Sequence, residues 1–247
     1  MSGHSKWSTI KRKKEKTDGA RAQVFTKIGR EIAVAVKEGG ADPANNSKLY
    51  DLVAKAKANN VPNDNIDRAI KKASADGDKN DYVDMVYEGY GPCGVAVIVE
   101  ALTDNKNRTA GDLRHYFDKF GGNLGQTGCV SFMFTRKGIV IVENIGVSEE
   151  KLMDDCMEVG ASDFNIEDDI AEISCEPNDV HTVNKGLIEK GYKVLSAEAV
   201  MVPNMLTAIA DEEMAKKMEL LLEHLEDNDD VQDVFHNWDI PDEPDEE

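Results

Sequence analysis

The chain lacks any hydrophobic run that could cross a bilayer as a helix. Its longest aliphatic stretch is Val95-Ala-Val-Ile-Val99, against the about 20 apolar residues a membrane span needs. The basic N-terminus is not followed by the apolar core of a secretory signal, so the expected location is the cytoplasm. Cysteine is sparse: Cys93, Cys129, Cys156 and Cys175 form no C-x-x-C pair, and the five histidines supply no zinc-ligand spacing. Reduced thiols and no metal are expected. The phosphate-loop Lys-Ser/Thr pattern, G-x-S-x-G and H-E-x-x-H are all missing. With them goes the expectation of an enzyme, a cofactor or a small-molecule substrate. Gly89, Gly91 and Gly94 match G-x-G-x-x-G literally, but a strand-like run follows where the dinucleotide fingerprint requires a helix N-terminus. The match reads as a hairpin turn.

Most of the chain is also short of positive charge. Of 247 residues, 29 are Lys or Arg and 48 are Asp or Glu. Residues 1–80 hold 17 of those cations and 10 of the acids, leaving 12 and 38 for residues 81–247. In the first thirty residues Lys6, Lys11, Arg12, Lys13, Lys14, Lys16, Arg21, Lys27 and Arg30 face only Glu15 and Asp18. A cationic arm on an anionic body suits a polyanion at one end, because each neutralised phosphate releases counterions while the body is repelled. The expected partner is DNA, or ribosomal or transfer RNA, and the acidic body leaves room for a protein partner. Trp7, interleaved with the cations, can stack on a base or pack back onto the following helices. Lys106, Arg108, Arg114, His115 and Lys119 form a local basic exception in the acidic body. They are candidates for a second phosphate contact, although Arg114 and Lys119 could instead only pair with the many nearby carboxylates. The candidate nucleic-acid-binding set is therefore Lys6, Trp7, Lys11, Arg12, Lys13, Lys14, Lys16, Arg21, Lys106, Arg108 and Arg114. The pairs Asp154-Asp155, Asp168-Asp169 and Asp229-Asp230 read as solvated faces and caps, since adjacent side chains point apart.

Hydrophobic content of 40% with 31% charged residues describes a soluble globular protein of two or three domains. Residues 1–20 read as a flexible arm. A 3.6-residue period then places Val24, Phe25, Ile28, Ile32 and Val36 on one stripe, stopped by Gly39-Gly40. Asp42-Pro43 reads as the cap and first residue of a second helix, and Pro62-Asn63 opens a third carrying Ile66, Ala69, Ile70 and Ala73. Residues 21–80 thus form a helical domain. Beyond it the period becomes that of strands: Tyr82–Glu88, Val95–Leu102, a helix from about Asn107, a strand near Val130–Phe134 and another at Gly138–Glu143. Residues 136–203 read βαββαβ, the ferredoxin-like split pattern. The last helix and strand complete a middle domain of residues 81–135 plus 204–240, into which 136–203 is inserted. The acidic tail 241–247 is expected to be disordered. The fold class is α+β, with a three-helix domain and two ferredoxin-like α/β domains. The Gly121–Gly128 loop, half glycine, could admit a ligand to its backbone or simply stop a helix.

Several longer stretches carry a resemblance. Gly3-His-Ser-Lys-Trp7, Asn60 to Lys72, Tyr87-Glu-Gly-Tyr-Gly-Pro92, Ala101-Leu-Thr-Asp-Asn105 with Asn107-Arg-Thr109, Gly121-Gly-Asn-Leu-Gly125 and Asp230 to Asn237 resemble the YebC family. The resemblance implies a helical N-terminal domain followed by two α/β domains. It also implies a probable transcriptional regulator that binds DNA, as for bacterial members, for which ribosome association is also proposed, or, as for the family's mitochondrial relatives, a translational activator of a cytochrome oxidase subunit. The family's turn reads Gly-Pro-Gly-Gly, and Cys93 stands here in place of a glycine. If that position has a positive φ, the cysteine is strained.

Overall fold

The computed structural model describes residues 18–75, 81–144, 146–167 and 169–240, with side chains from residue 23 onward. Two compact units result, one built from Lys16–Val130 with Ala210–His236 and the other from Ser131–Ile209 with the segment from Asn237. The architecture is α+β, with a three-helix domain followed by two α/β layers, the second inserted into the chain of the first.

The three-helix domain comprises α1 (Asp18–Gly39), α2 (Ser47–Ala58) and α3 (Asn63–Ser74). Its core is the expected stripe: Ile28, Ile32 and Val36 of α1 bury against Leu49, Ala56, Ile66 and Ala73. The second helix begins later than the Asp42-Pro43 pair suggests. Asp42 instead closes a tight turn, its carboxylate accepting from Ala44 N (3.0 Å) and Asn45 Nδ2 (2.7 Å). The cap is the buried Asn46. Its Oδ1 accepts from Leu49 N (3.0 Å) while its Nδ2 donates to Ala35 O (2.7 Å) and Gly40 O (2.8 Å). One side chain thus satisfies orphan groups at the end of α1 and the start of α2, which no residue at position 42 could reach.

In the same unit, β1 (Val83–Tyr90) and β2 (Ala96–Thr103) form an antiparallel hairpin, with α4 (Lys106–Lys119), β3 (Asn123–Leu124), α7 (Glu212–Glu226) and β9 (Val231–His236) completing the layer. The strand order is β3-β1-β2-β9, so the connection from β2 through α4 to β3 spans β1. The fully apolar Val95–Val99 run is buried throughout, as a central strand covered by helices requires. The sequence places the third strand at Val130–Phe134, but the structure forms it at Asn123–Leu124 inside the glycine-rich loop. Residues Ser131–Met133 make a short 3-10 turn.

The other unit contains β4 (Phe134–Glu143), α5 (Glu149–Val159), β5 (Asp163–Glu167), β6 (Ile170–Cys175), α6 (Val180–Glu189) and β7 (Val194–Pro203), in strand order β5-β6-β4-β7 with every pair antiparallel. That is the ferredoxin-like arrangement. Val140, Val142, Leu152, Ile173, Val183 and Leu187 are its core. Asp155 accepts from Lys190 Nζ and Tyr192 Oη, each at 2.8 Å, tying α5 to the end of α6. Two short parallel strands, β8 (Thr207–Ala208) and β10 (Trp238–Asp239), close the unit.

Cys93 sits in the β1–β2 turn at φ 56°, ψ 18°, the left-handed region that costs a residue with a Cβ roughly 1–2 kcal/mol. Restoring glycine, Cys93→Gly, should raise stability by about 0.5–1 kcal/mol once the greater freedom of the unfolded glycine is allowed for. A shift of the urea midpoint upward with unchanged slope checks this.

Candidate nucleic-acid interface

The sequence-derived cations divide into three groups. Lys6, Trp7, Lys11, Arg12, Lys13, Lys14 and Lys16 lie outside the described residues, and Arg21 enters only as a backbone position of α1. Lys106 and Arg114 are exposed on α4. Arg108, also exposed, is committed to an internal carboxylate.

That commitment is to Asp230, the residue immediately before β9. Sequence reasoning assigned the Asp229-Asp230 pair to solvent, and for Asp230 the structure corrects it: the residue is 3% exposed. The cause is local. β9 pairs with β2 through a bulge at Glu100/Ala101, and Leu102 N donates to Asp230 O (2.7 Å), so the carboxylate turns into the layer beneath α4. Arg108 Nη2 donates to its Oδ1 (2.9 Å) and Oδ2 (2.8 Å), and Nε donates to Oδ2 (3.2 Å). The Thr109 hydroxyl donates to Oδ2 (2.7 Å), as does that of Thr103 (3.2 Å). From the three-helix domain, Arg30 Nη1 donates to Oδ1 (2.5 Å) and to Asp229 O (2.6 Å). Beside it Lys27 Nζ donates to Glu226 O (2.5 Å) and Gln23 Nε2 to Asp227 O (3.2 Å). These cap the C-terminal carbonyls of α7, where cations are favoured. The guanidinium of Arg30 also stands 5.6 Å from the centre of the Tyr82 ring, within cation–π range.

Burial works to raise the pKa of Asp230, but the hydrogen bonds from Arg108, Thr109 and Arg30 outweigh it and hold the carboxyl below its usual range. Tyr87 is pushed up, first by burial and then by the Asp230 charge. Around this node lies a polar cleft of about 550 Å³. Asp104, Asp112, Asp227, Asp229 and Asp230 line it against two arginines, so the cleft repels phosphate. It is a structural joint. Its parts were not found from the sequence because Arg30, Arg108 and Asp230 are far apart along the chain. The available signal was that Thr103, Arg108, Thr109 and Asp230 all fall in stretches that carry the family resemblance.

The glycine-rich loop approaches the protein's own sheet. A Cβ on Gly122 would stand 2.5 Å from Tyr90 O, and one on Gly89 would stand 2.6 Å from Asn123 O. The buried Glu88 carboxylate accepts from Gly128 N and Val130 N, both at 2.8 Å. Tyr90 Oη donates to Cys129 O (3.0 Å). Two amides that could have met a phosphate are thereby taken by an internal carboxylate. Burial and the Glu88 charge push the Cys129 thiol up, which disfavours the reactive thiolate.

Exposed cations without an ion pair among the described residues are spread over several elements: Lys57, Arg68, Lys71 and Lys72 in the three-helix domain, Lys106, Arg114 and Lys119 on α4, Lys216 on α7, and Lys137 and Lys151 in the other unit. The α3 group was missed in the sequence reading, where residues 31–80 balance at 8 basic and 8 acidic side chains. The i, i+3, i+4 spacing of Arg68, Lys71 and Lys72 was the available signal. No helix of the described residues is long and apolar enough to cross a membrane.

Comparison with known proteins gives a consistent picture. A family model described as the TACO1/YebC protein N-terminal domain matches residues 5–76, and one described as the TACO1/YebC second and third domain matches residues 82–238. The chain is 56% identical over 248 residues to a protein of Ruminiclostridium cellulolyticum, covering 100% of both chains. It is 56% identical over 239 residues to one of Acetivibrio thermocellus, covering 96% of this chain and 99% of the other. Both relatives are named probable transcriptional regulatory protein. Among solved structures, a conserved hypothetical protein from Aquifex aeolicus is similar with a TM-score of 0.82 at 42% identity, over 94% of this chain and 96% of that one.

Asp230→Ala should cost about 3 kcal/mol at neutral pH, because it leaves the largely buried Arg30 and two buried threonine hydroxyls without their acceptor, while Arg108 can turn to solvent. The depressed pKa fixes the sign of the pH dependence. The carboxylate's contribution is complete above the unfolded value of about 3.9 and is lost as pH falls through the lower folded value. Urea titrations of wild type and variant should therefore begin to converge as pH falls below about 4 and go on converging through the lower folded value.

Proposed function

The chain belongs to the TACO1/YebC family, and from that premise we propose that it is a non-enzymatic, nucleic-acid-binding regulator of gene expression acting on DNA in the cytoplasm. The observation that carries this reading is how the cations are used. Arg30 and Arg108 are bound into the Asp230 node. Lys48 and Lys55 pair with Glu38 and Glu31, and in the inserted layer Lys190 and Lys193 pair with carboxylates. With Lys27 and Arg30 spent internally, the densest cationic stretch left for a polyanion is the N-terminal arm, where Lys6, Lys11, Arg12, Lys13, Lys14, Lys16 and Arg21 face only Glu15 and Asp18; the exposed cations elsewhere are scattered. Relatives named as transcriptional regulators support the regulatory half of the proposal. The acidic α/β layers are left to position the protein or to bind a protein partner.

One observation favours a second reading, a ribosome- or RNA-associated translation factor. Asp64 and Asp67 stand exposed on α3 among its cations and would oppose entry of that helix into a duplex major groove lined by phosphates. Shape recognition of RNA tolerates such a mixed surface better.

If five arm cations contact duplex phosphates, the logarithm of the binding constant falls against log salt with a slope near −4.5. Replacing Lys11, Arg12, Lys13, Lys14 and Lys16 by glutamine should bring the slope close to zero. Fluorescence anisotropy on duplex DNA and on structured RNA measures both, and an unchanged slope refutes the arm's role. Tighter binding to RNA at equal salt selects the second reading.

A further inference from the structure

The three-helix domain carries an open dent of about 200 Å³ bordered by Phe25, Gly29 and Ile32 of α1, by Val61, and by Asn65 and Ala69 of α3. Glycine is a poor helix residue relative to alanine, yet Gly29 stands in the interior of α1. Packing does not demand it there, since a Cβ at that position would meet no atom within 4 Å. The missing side chain keeps the dent open. On the α3 rim, Arg68 and Lys72 follow Asn65 by three and seven residues and so lie on one stripe, about 6 Å apart along the axis. Both are exposed and neither has an ion pair among the described residues, in contrast to Lys48 and Lys55 of α2. Asp67 lies on the opposite flank of the helix from Asn65 and Ala69 by the same periodicity, whereas the exposed Asp64 lies one turn before Arg68 on its face, at the far end of the rim from Lys72 and in no ion pair among the described residues. An apolar floor with an aromatic ring, an amide at the rim and two unspent cations one turn apart have the chemistry of a single-stranded nucleic-acid site.

We propose that this dent takes one unstacked base of a single-stranded segment, with the Phe25 ring against its face, the Asn65 amide at its edge, and Arg68 and Lys72 on the adjoining phosphates. The proposal rests on the nucleic-acid reading above and deepens it. Double-stranded nucleic acid presents no free base face, so the site selects loops, ends or melted segments.

The test uses the full chain and labelled probes of about 12 nucleotides: single-stranded RNA, single-stranded DNA of the same sequence, and the corresponding DNA duplex. Gly29→Leu fills the dent and should melt no lower than wild type. It should weaken single-strand binding roughly tenfold and leave duplex binding unchanged. Gly29→Ala is the milder companion; if the leucine variant unfolds, a loss of single-strand affinity in this stably folded protein carries the result. Arg68→Gln with Lys72→Gln should reduce the single-strand salt slope by about 1.4. Preference for RNA over DNA of equal sequence identifies the ribose hydroxyl as part of the ligand. Unchanged single-strand affinity in the Gly29 and Arg68/Lys72 variants, with loss only when the arm is neutralised, overturns this site and leaves the broader reading standing. A wild-type chain that binds none of the three probes overturns both.

Discussion

A single buried carboxylate joins the helical part of this protein to the sheet beside it. Asp230 receives Arg30 from α1 and Arg108 from α4 while two threonine hydroxyls fill its remaining acceptor positions. A buried charge is tolerable only when fully paired and hydrogen-bonded. Each partner therefore constrains the others: α1 must lie against the α7–β9 corner, α4 must start directly after its Asn105 cap, and β9 must bulge against β2. The register of the sheet edge and the seating of the three-helix domain follow from one side chain.

The node also decides what the rest of the charge can do. An arginine held by a buried aspartate is not available to a phosphate, so the basic exception at residues 106–119 contributes less to an interface than its composition suggests. Lys119 stands 4.9 Å from the centre of the Phe120 ring, beside the Phe120–His224 edge contact, and serves packing between α4 and α7. Along the sequence, positive charge is concentrated toward the N-terminal end. In the proposed function, a repulsive body opposes nonspecific coating of a polyanion that the basic arm attracts.

Glycines in this chain serve different ends, which their spacing alone does not separate. In the Gly89 and Gly122 pair, the absent side chains let the loop lie against β1, and Glu88 occupies the amides that result. At Gly29 the absent side chain touches nothing and leaves a concave surface. A close-approach glycine is structural when the approaching atom belongs to the same chain, and a candidate for binding when the space stays empty.

The α1 stripe, the three-helix domain, the βαββαβ order of the inserted layer, the hairpin reading of the Gly89–Gly94 turn and the family were legible in the sequence. All rest on local periodicity or on contiguous motifs. The strain at Cys93 was also foreseeable, because a turn and its φ are set within a few residues. The cap at Asn46, the two-residue strand β3 and the burial of Asp230 were not legible. Each depends on groups brought together from distant positions: α1 carbonyls for Asn46, the edge of β1 for Asn123, and Arg30 from 200 residues away for Asp230. Sequence by itself determined where charge and apolar periodicity lie along the chain. Only the tertiary structure decided which charges of the described residues are paired internally and which stay exposed, because pairing depends on distance in space and not on order in the chain.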